Sequence, residues 1–449
     1  MKIFKCNGKV LSSFKWACCE KGVVLPVTLL LLMVLGALAV VSTQWSSQDI
    51  GRTADYYKSR EAFYIAEAGI QKAINLLNYT DASGGDESSP GVEIAAGGFD
   101  NVLTNFITNN AANLTNISFG GGTYNVTLAD NNDGDGTMAD DDDNNLILTS
   151  VGTKEDQTIT LEAVIVRRLY KGDNAITTEG DLGGNGTFTI NGTNGSIHSN
   201  NSVTVSGGSA TITQGATATG ACTGTGCVSG GVAPEEIPII NPADYKSFAD
   251  YILNDDGTIE DASTGDIYTY TNPGGGHWST STTGDGDTNF GGLSYSSAQG
   301  RWSAGATDVT NGSFYVEGDF TTTGCPPGWQ TTIVAEGYIN FGGNADVVNF
   351  KDTVNDTKDI QNMFLVAGTD VEFSGTPSNT IQGFIAAKEQ VSFSGSVQLE
   401  GFVVASDSAA TENLVTGNTI GGSVTITYNG DLVAPFLGNK VSVIAWQET

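Results

Sequence analysis

Two cysteines lie close enough together for redox chemistry. Cys222 and Cys227 enclose the stretch Cys-Thr-Gly-Thr-Gly-Cys, whose glycines allow a small loop to close. In an oxidising compartment this spacing predicts a disulfide, whereas a metal site would need a second pair of ligands. Cys325 is left over, and we expect it to be an inert buried thiol. Three further cysteines precede a long apolar segment: Cys6, Cys18 and Cys19.

An acidic stretch supplies oxygen donors with the spacing of a calcium loop. Positions 1, 3, 5 and 12 of an EF-hand-like loop are matched by Asn131, Asp133, Asp135 and Asp142. Gly136 falls where such a loop turns sharply, and the Thr137 carbonyl would serve position 7. Asn at position 1 and Asp at position 12 depart from the usual pattern. Calcium binding and a solvated acidic hairpin loop are therefore both open interpretations.

The residues favour no enzyme class. The histidines are His198 and His277, each in a setting rich in Gly, Asn and Ser and without a nucleophile motif nearby. Lyases acting on acidic sugars need cations, which are scarce in residues 172–449. A glycoside hydrolase with paired carboxylates stays open as the lesser alternative. We therefore expect a protein that is not an enzyme.

The charge balance restricts the partners. The chain has 50 acidic and 19 basic residues, a formal net charge of −31, and several of the bases lie in the first 21 residues. Such a body repels phosphate backbones, so we expect no nucleic-acid partner. The abundance of Gly, Asn, Thr and Ser is typical of short strands joined by tight turns.

The element that positions these groups relative to a membrane is the apolar run at residues 23–41. As a helix it would extend about 28 Å, close to the hydrocarbon thickness of a bilayer. Positive charge precedes it, so the N-terminus should stay in the cytoplasm. The helix should continue to about residue 77, because a stripe of one face recurs there: Phe63, Ala66, Ile70, Ala73 and Leu77. A secretory signal peptide cleaved near Ala37-Leu-Ala39 is the alternative.

Two motifs in this region resemble those of pilins. Lys21-Gly22 followed by VVLPVTLLLL resembles the site cut by prepilin peptidase, and AFYIAEAGIQKAI (residues 62–74) resembles a segment of PilX-type minor pilins of type IV pili. The resemblance implies cleavage between Gly22 and Val23. It also implies a single pass through the inner membrane before display on a pilus, and other pilins as partners through the N-terminal helix. Val27 replaces the Glu of major pilins at the fifth mature position, which points to a minor pilin.

The pattern after the helix predicts an α+β pilin-like module followed by a mostly-β domain. Alternating strands are predicted at residues 123–128, 146–151 and 158–166. The expected division is a leader at 1–22, a long helix at 23–80, a β head at 81–170 and an outer domain at 171–449. Short apolar runs recur at intervals of roughly 20 residues in the outer domain, which predicts a parallel β-solenoid with an insertion at 229–310. A β-sandwich is the alternative.

Together these patterns predict a minor pilin-like assembly protein at or near a pilus tip. A surface glycan or protein receptor is the expected ligand of the outer domain. The competing hypothesis is a membrane-anchored solenoid adhesin unrelated to pili, and a glycan-active enzyme is the third.

Overall fold

The computed structural model describes residues 24–78, 99–131, 144–272, 277–280, 286–287, 290–322, 324–343, 346–350, 362–377, 379–407, 414–432 and 436–449. The first element is one long helix, α1, which spans Val24–Asn78. Its only proline, Pro26, lies in the first turn, where a missing N–H breaks no helical hydrogen bond. The predicted long apolar N-terminal helix is thus confirmed.

The C-terminal half of α1 packs on a small antiparallel sheet. A π-helical turn at Val102–Phe106 and two short helices, α2 (Ile107–Asn109) and α3 (Ala111–Leu114), precede it. The sheet then begins with four strands: β1 (Ile117–Phe119), β2 (Gly122–Asp130), β3 (Asn145–Lys154) and β4 (Gln157–Leu169). Burial alternates along β3 with the strand period, so one of its faces lies on the helix.

After the sheet the chain forms parallel layers of short strands. The first group comprises β5 (Ile176–Thr178), β6 (Leu182–Gly184), β7 (Thr189–Gly192), β8 (Ser196–Ser199), β9 (Val203–Val205), β10 (Thr211–Ile212), β11 (Gly215–Ala218), β12 (Cys222–Gly224) and β13 (Cys227–Gly230). Parallel pairs join β5 to β8 and β8 to β11 in one sheet, and β6 to β9 and β9 to β12 in another. Each layer therefore gives strands to two sheets.

Residues 231–249, which we call the strap, connect this group to the next. The strap contains a 3-10 helix at Pro242–Phe248, which Asn241 precedes. The Asn241 side chain makes no capping bond to the backbone and instead donates to a carboxylate oxygen of Asp244 at 2.7 Å.

The next strands are mostly antiparallel. They comprise β14 (Tyr251–Leu253), β15 (Ile259–Asp261), β16 (Asp266–Asn272), β17 (His277–Thr280), β18 (Gly286–Asp287), β19 (Leu293–Ser296) and β20 (Arg301–Ala304). Strands β14 to β18 form a meander, and β19 and β20 form a hairpin. This part lies inside the segment predicted as an insertion.

A second group of parallel layers follows. Its strands are β21 (Gly312–Val316), β22 (Asp319–Thr322), β23 (Trp329–Ala335), β24 (Ile339–Phe341), β25 (Val347–Asn349), β26 (Met363–Ala367), β27 (Val371–Phe373), β28 (Ile381–Ala387), β29 (Val391–Phe393), β30 (Gln398–Ala405), β31 (Asn418–Ile420) and β32 (Thr425–Tyr428). Like residues fall in register: Phe384 pairs with Phe402, and Phe341 with Phe373.

The two groups share two sheets, and we call residues 176–428 the two-sheet region. In the open sheet, of ten strands, the central residue of a strand is typically part-exposed between two buried neighbours, as in β24, β27 and β29. In the covered sheet every residue of β21 and of β26 is buried. The strap lies over part of the outer face of this sheet, where its 3-10 helix lies beside β21 and β23. A continuous apolar core fills the space between the sheets.

The layers do not stack in chain order. Strand β30 pairs with β5, β31 with β6, and β32 with β7, so the last layer of the second group joins the first layer of the first group. The Tyr428 hydroxyl donates to the Gly172 carbonyl across this seam at 2.6 Å. The chain therefore enters and leaves the two-sheet region inside the stack, with three strands of the open sheet on one side of the seam and seven on the other.

The last strand returns to the first sheet. Strand β33 (Leu437–Glu448) pairs antiparallel with β4 and completes the order β1-β2-β3-β4-β33. Residues 437–448 therefore lie in the head, which we define as this five-stranded sheet with the half of α1 packed on it. The division into 81–170 and 171–449 placed them in the outer domain, because a pairing this distant in sequence leaves no local signal.

Candidate functional site

The first candidate surface is the N-terminal half of α1. Every residue from Val24 to Tyr57 is exposed, and residues 24–41 are uncharged. Within the described part of the chain, α1 is the one helix long and apolar enough to cross a membrane. Trp45 and Tyr57 follow the apolar run, and such side chains favour the interface between lipid and water. This half of the helix fits a single-pass membrane anchor.

The other half of α1 is held on the sheet by small residues. A Cβ atom added to Gly152 on β3 would overlap the backbone of Ala62 and Ala66. One turn further along, a Cβ atom added to Gly69 would overlap the Ser150 hydroxyl and press against the Tyr124 ring. The segment AFYIAEAG therefore contributes small side chains where helix and sheet backbones approach each other.

The predicted stripe on α1 agrees with this face in most positions. Ala66, Ile70, Ala73 and Leu77 are buried, whereas Phe63 is half-buried and touches Trp446 of β33 with ring centroids 6.1 Å apart. The remaining buried positions complete the face: Ala62, Ile65, Gly69 and Leu76. The helix thus changes from fully exposed to packed within its own length.

Ion pairs mark the boundary between the two halves. Lys58 lies 2.7 Å from a carboxylate oxygen of Glu155 and 3.2 Å from one of Asp156, in the turn between β3 and β4. Hydrogen bonds to these carboxylates raise the pKa of Lys58 above its ordinary value. Lys154 pairs with Glu61 at 3.1 Å. Exposed pairs of this kind contribute little to stability, so their role is orientation of the turn on the helix.

The predicted cleavage and calcium sites fall largely on residues outside the described parts of the chain. Gly22 and Val23 lie there, as do Asp133, Asp135, Thr137 and Asp142. Asn131 is described and half-buried at the end of β2. Val27 is described, and its side chain is 55% exposed on the apolar half of α1. Within the described residues no group of three His, Cys, Asp or Glu side chains is arranged to hold a metal ion.

The cysteines behave differently from one another. The structure joins Cys222 and Cys227, the first residues of β12 and β13, by a disulfide in the terminal layer of the stack. Cys325 is a free thiol and is buried. Burial raises the pKa of the Cys325 thiol to about 11, which keeps it protonated and unreactive at neutral pH.

His198 lies on the covered sheet under the strap. Its Nδ1 and Nε2 atoms each lie 2.9 Å from a partner oxygen, of Thr217 and Asn200 respectively, and the side chain is fully buried. Burial lowers its pKa below the ordinary value. The carboxylate of Glu235, on the strap, lies 3.6 Å from Nδ1. These contacts satisfy both ring nitrogens, as in a structural histidine.

The junction between the head and the two-sheet region was not foreseen from the sequence. Glu236, also on the strap, accepts hydrogen bonds from the backbone N–H groups of Asn439 at 2.5 Å and Lys440 at 3.0 Å, at the start of β33. The Asn439 side chain donates to the backbone carbonyl of Ile237. The pair Glu235-Glu236 was the available signal, since two adjacent acids inside an otherwise apolar stretch need specific partners.

The tryptophans of the predicted insertion are mostly internal. Trp278 and Trp302 are fully buried and stack with ring centroids 5.7 Å apart, and Trp302 donates to the Asn254 carbonyl at 2.9 Å. Tyr268 is half-buried, and Tyr270 is exposed. The four side chains therefore do not form one open aromatic surface.

Comparison with known proteins adds little. No family model and no curated protein matches the chain. Among solved structures, the chain is similar to the competence-associated pilin ComZ from Thermus thermophilus. The two share 13% sequence identity over 87% of this chain and 97% of that one, with a TM-score of 0.29. A likeness at that level does not establish a shared fold.

Proposed function

We propose that the chain is a minor pilin-like structural and assembly protein of a type IV pilus, anchored in the inner membrane and then displayed at the cell surface. The observation that carries this proposal is the division of α1. One half is exposed and apolar, and the other is fixed to an antiparallel sheet through Ala62, Ala66 and Gly152. A subunit of this design can exchange the lipid around its apolar half for the apolar halves of neighbouring subunits.

The tip is the position we propose within the pilus. Val27 brings no carboxylate into the apolar half of α1, so this chain cannot neutralise a neighbour's buried N-terminal amine there. The two-sheet region is also much larger than the head, which favours an end position over a repeated one. A PilX-type assembly role, with prepilin peptidase and other pilins as partners, follows from the same resemblance.

The two-sheet region would act outside the membrane as a rigid β-solenoid. Parallel pairing in register, such as Phe384 with Phe402 and Val371 with Val391, supports a solenoid rather than a sandwich. Its proposed contribution is adhesion to a surface glycan or protein, without catalysis.

Processing of the leader is the first test. N-terminal sequencing of the mature protein should give Val23 as the first residue. A Gly22→Val variant should stay uncleaved, because the site resembles one that requires glycine, while the matched Gly36→Ala variant should be cut normally. A mature protein beginning near residue 40 would establish a secretory signal peptide instead and contradict the pilin assignment.

Immunogold labelling of sheared filaments is the second test. We expect label at filament ends. Label spread evenly along the shafts would contradict the tip position while retaining the pilus. Label confined to cell membranes would contradict the pilus itself and favour a membrane-anchored adhesin.

A further inference from the structure

The terminal layer of the two-sheet region contributes few side chains to the apolar core. We call residues 222–230, which comprise β12, β13 and the turn between them, the cap. Strand β12 pairs with β9, and β13 pairs with β11. The core positions of β9 and β11 are all buried and are occupied by Val203, Val205, Ala216 and Ala218. The residues paired with them in the cap are, in the same order, Cys222, Gly224, Cys227 and Gly230. The two cysteines are therefore the cap's only side chains at these positions.

The disulfide holds these two side chains against the core. Cys222 and Cys227 are half-buried and pack on the apolar cluster between the sheets. Val228, the other apolar residue of the cap, is 70% exposed. The cap has no charged residue, so no ion pair can fix it. A hydrogen bond from Thr223 to the Thr204 hydroxyl, at 3.3 Å, lies on the exposed surface, where water competes for it. Besides main-chain pairing, the covalent bond is therefore the principal restraint on the cap.

The backbone of the cap favours disorder once the bond is removed. Gly224 and Gly226 have positive φ angles of 95° and 79°. Glycine loses more conformational freedom on ordering than any other residue. A disulfide limits the freedom of the disordered segment, and breaking the bond restores that freedom. The order of the cap thus depends on the bond between Cys222 and Cys227.

We propose that the cap is a redox-sensitive closure at one end of the two-sheet region. With the bond formed, the cap covers β9 and β11 at the end of the stack. With both thiols free, the cap detaches and exposes Val203, Val205 and the alanines of β11 to water. The layer before them keeps apolar side chains of its own, such as Ile176 and Leu182, and stays folded. The change is confined to the end of the stack.

Thiol–disulfide exchange operates this closure. The thiolate of a small dithiol attacks one sulfur, and the Cys222–Cys227 bond breaks through a mixed disulfide. The reductant leaves as a cyclic disulfide, and the two cysteines take up the two protons. A disulfide oxidant reverses the reaction. Because thiols stay reduced in the cytoplasm and disulfides persist in oxidising compartments, the cap closes after export. The switch needs an exported chain but not a pilus.

Hydrogen exchange of the full chain in detergent micelles, with and without dithiothreitol, tests the switch. On reduction, peptides from residues 222–230 should exchange at least about tenfold faster, because the cap opens independently of the remaining layers. Peptides from β27 and β29 should not change, and reoxidation should restore slow exchange in the cap. Mass spectrometry confirms that the two thiols are free. Slow exchange of the cap despite free thiols would overturn the proposal.

Substitution separates loss of the bond from other effects of the reductant. A Cys222→Ser/Cys227→Ser variant should exchange rapidly in the cap with and without dithiothreitol. The matched control is Thr223→Ser on the same strand, which keeps both cysteines and should retain the redox response. Thermal melting identifies a variant that fails to fold. A double variant that melts normally and keeps a slowly exchanging cap would show that main-chain pairing alone closes the stack.

A buried reporter thiol tests exposure of the core. In the double serine variant, Ala218→Cys should be alkylated by iodoacetamide within minutes, because the cap no longer covers that position. Ala386→Cys, at an equally buried position far from the cap, should stay protected in the same background. With the disulfide intact, both reporters should stay protected. Each site is measured from its own peptide by mass spectrometry. Protection of position 218 in the double serine variant would contradict detachment of the cap.

Discussion

The head and the two-sheet region are stabilised in contrasting ways. In the head the contacts differ from one another, and the closest backbone approach of α1 to β3 is that of Ala62 and Ala66 to Gly152. In the two-sheet region the same contact recurs from layer to layer, as in the stacked rings of Phe341 and Phe373, whose centroids are 5.5 Å apart. A unique contact fixes a position, whereas a repeated contact distributes stability along a stack.

The same contrast applies to exposed edges. The stack ends at the disulfide-linked layer of β12 and β13, and the meander of β14 to β18 lies at the other end. In the head, β33 ends the sheet; the strap contacts its start, and residues 443–449 are exposed. A covalent bond therefore fixes the last layer of the stack, whereas the last strand of the head is held by noncovalent contacts.

The largest loss of folding stability is expected for a substitution in the stack. Phe373→Ala removes a fully buried ring and should destabilise the two-sheet region by about 4 kcal/mol, the usual range for such a cavity. Calorimetry of the full chain should show a lower melting transition for this region. The matched control is Glu372→Gln on the same strand, which keeps the acceptor for Asn340 and should change little.

A substitution in the head is expected to lower the free energy of unfolding by about 3 kcal/mol. Gly152→Val places side-chain atoms where the backbone of α1 now lies, so the helix must move away from β3. Gly51→Ala is the control, since open space surrounds Gly51 and alanine is the better helix former. If Gly152→Val and Phe373→Ala both shift one common transition, the head and the stack unfold as one unit and the contrast between them fails.

A smaller effect is expected at the closed end of the stack. Replacing Cys222 and Cys227 by serine opens a short loop and should remove about 2 kcal/mol of stability, according to the loop-entropy relation. Hydrogen exchange should rise in β12 and β13 and stay unchanged in the head. Faster exchange in β33 as well would show that the two regions communicate.

The last prediction concerns the reactivity of the Cys325 thiol and involves no change in stability. Because this thiol is buried and its pKa is raised to about 11, Cys325 of the folded chain should resist alkylation at pH 8 and react only on unfolding, as read from the peptide that contains it. Mass spectrometry after iodoacetamide treatment measures this. Rapid labelling of the native chain would show that the site opens without global unfolding.

Local patterns in the sequence predicted what is local in the structure. The apolar run at 23–41 and the stripe to Leu77 predicted α1, and alternation predicted β2, β3 and β4. Runs such as Phe384-Ile-Ala-Ala and Phe402-Val-Val-Ala predicted layers, because each repeat contains its own strand. The spacing of Cys222 and Cys227 predicted the bond that closes one end.

The parts of the fold that could not be predicted depend on partners far away in the sequence. Strand β33 pairs with β4, which lies far upstream in the sequence, and nothing within β33 identifies that partner. The strap is irregular, and its acids find their partners on His198 and on the backbone of Asn439 and Lys440. The pairing of β30 with β5 cannot be predicted from the sequence either. Repeated runs indicate that layers form, but they do not give the order in which the layers stack.

The seam inside the stack has a consequence for the order of folding. Gly172 and Tyr428, which meet there, are 256 residues apart in the chain. The layers made first by the chain therefore expose an unpaired edge until β30 to β32 have formed and returned to them. Pairings of such high contact order are slow, and unpaired edges invite aggregation. We therefore expect the early layers to be the segment most dependent on chaperone protection between export and completion of the fold.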